Sequence, residues 1–228
     1  MTAAVSWSGG KDCCLAMHRA RAAGLDVSVL LAMFDERGER TRSHGIPRAL
    51  MEAQADALSL ELVAASASWA DYEKVFIGAL GDLRARGVTD VVFGDIDLVA
   101  HREWDEKACA AAGLRPSLPL WQEDRTALAD EVVGLGYRAL VVCTDDRWLD
   151  AGWCGQVYDR AFIDRLPAGV DACGENGEFH TFVIDGPAFR AAVPAGVASV
   201  DSRVIRFGEH SYTYHFAKLA LGGAKPSI

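Results

Sequence analysis

No apolar run in this 228-residue chain approaches the roughly 20 consecutive residues needed to span a bilayer. The first seven residues lack the basic start and cleavage site of a secretory leader and run straight into a strand-like stretch. Cationic charge is in deficit, with 23 Lys and Arg against 32 Asp and Glu and a formal net charge of -9. That balance argues against extended nucleic-acid binding and leaves room for one local basic pocket. The six cysteines form no CxxC; Cys13 and Cys14 are adjacent and the rest are scattered, which favours a reduced, cytoplasmic chain over a disulfide framework. Two nucleotide fingerprints are missing as well. Val5 and Asp12 stand where a Walker A loop needs Gly and Ser or Thr. The run from Gly134 to Ala139 matches GxGxxA, but it follows a helix and precedes a strand, which is the wrong polarity. What remains is an ordinary globular composition, 50% hydrophobic and 24% charged, with no internal repeat.

The first half alternates strand and helix. Strands are expected at Ala3–Trp7, Val27–Phe34, Leu60–Ala64, Asp90–Phe93 and Leu114–Leu118, with helices between them. Gly24 and Gly87 act as helix stops, and Ser68 with Asp71 makes a capping-box-like start. The second helix is expected to turn Ile46, Leu50, Ala53 and Ala57 inward, and a fourth helix surrounds Trp104 and Ala108. Five strands with helical crossovers predict a parallel sheet with helices on both faces. After Trp121 the pattern changes: a helix at Thr126–Leu135, a strand at Ala139–Thr144, a stretch of little period from Asp145 to Gly177, then strands at Phe179–Ile184, Ser199–Phe207 and Tyr212–Leu219 around a turn at Gly208–Glu209. A domain boundary is placed at residue 122, giving a nucleotide-binding domain over 1–122 and a smaller α+β substrate domain over 123–228.

The segment Ser6-Trp7-Ser8-Gly9-Gly10-Lys11-Asp12-Cys13 lies between the first strand and first helix. Two glycines let backbone approach an anion, the helix start offers unpaired N–H groups, and Lys11 and Ser8 add a charge and a hydroxyl. A second segment, Cys173-Gly174-Glu175-Asn176-Gly177-Glu178-Phe179-His180-Thr181, sets two carboxylates three residues apart around an Asn-Gly turn that feeds a strand. By themselves the carboxylates are equally consistent with a solvated hairpin.

The loop SGGKD resembles the PP-loop, SGGxDS, of the N-type ATP pyrophosphatases, with Cys13 in place of the final serine. Together with GENGEFHT, and with Ser43 to Pro47, Phe93 to Ile96 and Pro119 to Trp121, the chain resembles the diphthine–ammonia ligase family. The resemblance implies an adenine nucleotide α-hydrolase-like (Rossmann-like) fold and a reaction in which ATP adenylates the carboxylate of diphthine on translation elongation factor 2, after which ammonia displaces AMP. Ala-, Arg- and Gly-rich usage suits a bacterial member; bacteria lack diphthamide, so the acceptor there would differ. The expected catalytic residues are Lys11, Asp12, Glu175 and Glu178. ATP is expected to meet Ser6, Ser8, Gly9, Gly10, Lys11, Asp12, Cys13, Met33, Gly94 and Asp95, with Asp12 toward Mg²⁺. The acceptor or ammonium is expected at His44, Glu175, Asn176, Gly177, Glu178, His180 and Thr181, with Arg48 near ATP. A homodimer is compatible with this reading, and no membrane contact is expected. A nucleotide-binding regulatory module is the alternative. A PP-loop thiolase acting on tRNA would need a basic surface or a catalytic cysteine pair, neither of which is visible.

Overall fold

The computed structural model describes residues 1–222 apart from Ser43 and Glu209, so Ser43 of the expected landmark and the second residue of the expected turn lie outside the described residues. The chain divides into two compact units, Met1–Glu123 and Asp124–Ile228.

The first unit is α/β. Its elements run β1 (Thr2–Ser6), α1 (Lys11–Ala22), β2 (Asp26–Phe34), α2 (Arg48–Leu58), β3 (Glu61–Ser66), α3 (Tyr72–Ala85), β4 (Asp90–Val92), α4 (Val99–Ala112) and β5 (Arg115–Ser117). Every pairing between these strands is parallel and the strand order is β3-β2-β1-β4-β5. Ala4, Val29, Leu31, Met33 and Val91 face one side, where Phe76, Leu80 and Leu83 of α3 and Ala108 and Cys109 of α4 cover them. Their neighbours Ala3, Val5, Leu30, Ala32 and Phe34 alternate to the opposite face and are also buried. Burial on both faces explains why these strands read as continuous apolar runs. The chain leaves β1 toward β2 on one side, while β4 flanks β1 on the other. The carboxyl ends of β1 and β4 are therefore the switch point of the strand order, where open α/β sheets hold ligands.

The second helix differs from expectation. Its buried positions are Leu50, Met51, Gln54, Ala55 and Leu58, while Ala53 and Ala57 are only half-buried and Ile46 precedes the helix. The true stripe follows the i, i+4 rows 50–54–58 and 51–55. A glutamine in the first row obscured it, because Gln54 reads as polar until its hydrogen-bond partners are known.

The second unit is α+β. It comprises α5 (Arg125–Gly134), β6 (Arg138–Asp145), β7 (Val157–Tyr158), α6 (Arg160–Asp164), β8 (Phe179–Asp185), β9 (Ala195–Phe207) and β10 (His210–Leu221). All pairings are antiparallel. The order is β7-β6-β10-β9 with β8 on the other side of β6. The short β7 and α6 fall inside the stretch read as having little period, since two and five residues are too few to display one. Asp124 and Asp159 cap α5 and α6 by accepting from Ala127 N and Phe162 N, each at 2.8 Å. Tyr158, Phe162 and Phe179 pack together beneath the start of β8, with ring centroids 5.5 to 5.9 Å apart.

Candidate functional site

The loop after β1 has the geometry of an anion cradle. Gly9 adopts φ +81°, open to glycine at no steric cost, and Gly10 is the extended N-cap of α1. No side chain caps α1, so its first N–H groups and its positive dipole end face the loop. Ser8 Oγ accepts from Gly10 N at 3.3 Å. Lys11 is 2% exposed, and its Nζ lies 2.8 Å from both carboxylate oxygens of Asp12, which is about a quarter exposed. A buried ammonium held against one carboxylate beside a helix start supplies a charge that an incoming phosphate could share.

Cys13 occupies the position where the resembling loops carry serine. Its Sγ donates to Gly10 O at 3.1 Å and receives the Ser8 hydroxyl at 3.4 Å. Burial by itself would raise this thiol, but hydrogen bonds from the Cys14 thiol and from Ser8 outweigh it and bring the group below its ordinary value. Cys14 is pushed well up by burial and by its bond to Cys13. All six cysteines lie among the described residues, where they are buried and none forms a disulfide.

Two neighbours hold the loop in place. From α2, Gln54 Oε1 accepts from Trp7 Nε1 at 2.8 Å while its Nε2 donates to Gly9 O at 3.1 Å. From the end of β4, Gly94 lies so close that a Cβ there would sit 2.8 Å from Cys13 N and 2.9 Å from Asp12 C. Gly94 thus joins the loop through backbone contact, and any larger residue would displace the start of α1. Sequence reasoning missed Gln54, although a polar residue between Leu50 and Leu58 in an apolar row was the available signal.

Asp95 follows Gly94 at the same edge and accepts or shares a proton with His101 Nδ1 at 2.9 Å. Behind it on α4, Asp105 is 3% exposed. Burial, then the charge of Asp95 and a hydrogen bond to it, push the Asp105 carboxyl up to about 9, so it remains protonated at neutral pH. Asp105 was not foreseen, because an acid inside a helix reads as solvated. Of the remaining expected nucleotide contacts, Ser6 ends β1, whereas Met33 belongs to the core cluster beneath α3 and α4. His44 is half-buried in the connection from β2 to α2. Arg48 is exposed, paired with Glu52 at 2.9 Å and stacked over Phe34.

In the second unit the GENGEFHT segment closes on itself. Glu178 is wholly buried. Its Oε1 accepts from Asp171 N at 3.1 Å and Asn176 Nδ2 at 2.9 Å, and its Oε2 accepts from Asn176 N at 2.9 Å. Asp171 complements it, accepting from Cys173 N at 3.0 Å and Glu175 N at 3.1 Å while pairing with Arg125 at 2.7 Å. Gly174 and Gly177 take φ +73° and +84°, and a Cβ on Gly174 would meet Phe179 O at 2.8 Å. Thr181 is buried and His180 half-buried on β8, paired with Val141 and Cys143 of β6. The two glutamates therefore differ: Glu178 is wholly buried and organises the loop from inside, and Glu175 is half-buried.

A family model described as the diphthamide synthase N-terminal domain matches residues 1–116, and one described as the diphthamide synthase C-terminal domain matches residues 124–203. Curated relatives include diphthine–ammonia ligases of Danio rerio, 30% identical over 95 residues, and of Homo sapiens, 29% identical over 93 residues. Each alignment covers 39% of this chain and 36% or 35% of the relative, so the match spans about a third of those proteins. Among solved structures, a predicted subunit of tRNA methyltransferase from Methanocaldococcus jannaschii aligns over 82% of this chain and 98% of its own at 15% identity, with a TM-score of 0.44. With the two domain matches covering most of its length, on a parallel sheet that bears the SGGKD loop at its switch point, the chain belongs to the diphthamide synthase family.

Proposed function

We propose that the first unit binds ATP on the Ser8–Asp12 loop and that the protein uses it to convert a carboxylate into an amide. The carboxylate oxygen attacks the α-phosphorus, the bond to the bridging oxygen of the β-phosphate breaks, and pyrophosphate leaves. Ammonia then attacks the acyl carbon of the acyl-adenylate, AMP departs, and the nitrogen loses a proton to give the neutral amide. The observation that carries this reading is the buried Lys11 ammonium beside the uncapped start of α1, behind a two-glycine loop. Lys11 and the Gly9–Gly10 backbone would hold the pyrophosphate portion, where negative charge accumulates as the bond breaks.

Mg²⁺ commonly takes one or two carboxylates and draws its other ligands from phosphate and water. Asp12, about a quarter exposed at the start of α1, would take that role once phosphate oxygens draw the Lys11 ammonium away from it. Among the described residues no group of three acidic, His or Cys side chains stands ready for a metal, so Asp12 would serve with the nucleotide's own oxygens. The ion would screen the phosphate charge.

In the second unit, half-buried Glu175 would meet ammonium or the acceptor, while Glu178, whose carboxylate accepts from Asp171 N and Asn176 N, would keep the loop in shape. Asn176, Gly177, His180 and Thr181 lie in the same segment and would contribute to acceptor binding with it. The acceptor follows the family: diphthine on elongation factor 2, or another carboxylate in an organism without it. Incubation with ATP, ammonium and acceptor should yield AMP, pyrophosphate and an amide. ADP as the principal product would refute the assignment.

A further inference from the structure

We infer that Gln54 is the positioning residue of the phosphate loop: from α2 it fixes the Gly9–Gly10 peptide in the orientation that presents Gly10 N–H to a polyphosphate. This deepens the ATP reading and rests on it. The amide of Gln54 is wholly buried and spans two groups of opposite need. Trp7 Nε1 can only donate and Gly9 O can only accept, so a single orientation of the amide satisfies both, at 2.8 and 3.1 Å. A trans peptide holds its C=O and N–H opposed. Drawing Gly9 O toward α2 therefore turns Gly10 N–H away from α2, where the Ser8 hydroxyl accepts it at a long 3.3 Å. A phosphate oxygen would make a shorter, charge-assisted bond with the same N–H. Glycine at φ +81° leaves this peptide easy to rotate. Gln54 opposes that rotation from outside the loop, 45 residues away in sequence.

Three variants test the inference by calorimetric titration with ATP and with inorganic pyrophosphate. Gln54→Met keeps volume and removes both hydrogen bonds. Gln54→Glu restores both when protonated, one oxygen accepting from Trp7 and the O–H donating to Gly9 O, and loses the donor when ionised. Leu50→Ala, in the same buried row of α2, opens a cavity without touching the loop's hydrogen bonds.

The expected result is a loss of about tenfold or more for both ligands in Gln54→Met, about 1.4 kcal/mol. Leu50→Ala should stay within about threefold while lowering the urea midpoint at least as far. Gln54→Glu should bind within about threefold of wild type at pH 5.5, where its buried carboxyl is protonated. Wild-type affinity in folded Gln54→Met, or a loss in Gln54→Glu at pH 5.5 as large as in Gln54→Met, would overturn the inference and leave the ATP reading standing. Equal losses in Leu50→Ala would reduce Gln54 to a core residue and overturn it too. A wild-type protein that binds neither ligand would remove the phosphate loop itself, and the inference with it.

Discussion

Replacing Gly94 with alanine adds one methyl group at the point where β4 meets the start of α1. That methyl carbon would lie 2.8 Å from Cys13 N, 2.9 Å from Asp12 C and 3.1 Å from Cys13 Cα. All three neighbours are backbone atoms, so no side chain can swing aside, and relief requires moving either the strand end or the first turn of the helix. Overpacking of this kind costs about 1–3 kcal/mol. The first turn of α1 carries the N–H groups offered to phosphate, so the displacement should appear in both stability and binding. We expect the urea midpoint to fall by an amount corresponding to about 1–3 kcal/mol at an unchanged slope. ATP affinity should fall about tenfold, because a few tenths of an ångström misaligns several hydrogen bonds at once. Glycine positions with open space provide the control. Gly78 and Gly81 on α3 have nothing within 4 Å of an added Cβ, and alanine there should stabilise by up to about 1 kcal/mol through helix propensity. If Gly94→Ala matched wild type in both midpoint and ATP affinity, the close-approach argument would be refuted.

Lys11→Ala should weaken ATP binding by about 1–3 kcal/mol in calorimetry, the scale of a charged hydrogen bond. Glu178→Gln replaces one acceptor oxygen with an NH₂ group facing an N–H donor, and should destabilise the second unit by about 1–3 kcal/mol in denaturant unfolding. Glu175→Gln, by contrast, should keep stability within about 1 kcal/mol while ammonium-dependent turnover falls about 10²-fold. Asp105 gives a pH signature. Its folded carboxyl holds a proton up to about 9 while the unfolded one releases it near the ordinary 3.8, so the folded state binds the extra proton between those values and its stability falls as pH rises. Asp105→Asn removes that dependence, and its unfolding midpoint relative to wild type should rise from pH 5 to pH 8.

Local sequence signals alone specify the α/β plan of the first unit and the position of its SGGKD loop. Both rest on local signals: apolar runs of strand length, helix stops at Gly24 and Gly87, and a two-glycine turn between a strand and a helix. Motif residues such as Ser8, Gly10 and Glu175 could be named because their spacing is short. Tertiary structure decided what each of them touches. The strand order β3-β2-β1-β4-β5 depends on which parallel neighbours pair, and that choice is made between residues far apart in the chain. Gln54 and Gly94 join the loop only once α2 and β4 have packed, across separations of 45 and about 80 residues that no local pattern reports. The contrast between Glu175 and Glu178 was equally hidden. Two identical side chains three residues apart differ because one closes a turn inward onto Asp171 and Asn176, where burial demands that each carboxylate oxygen find a donor, and the other is only half-buried.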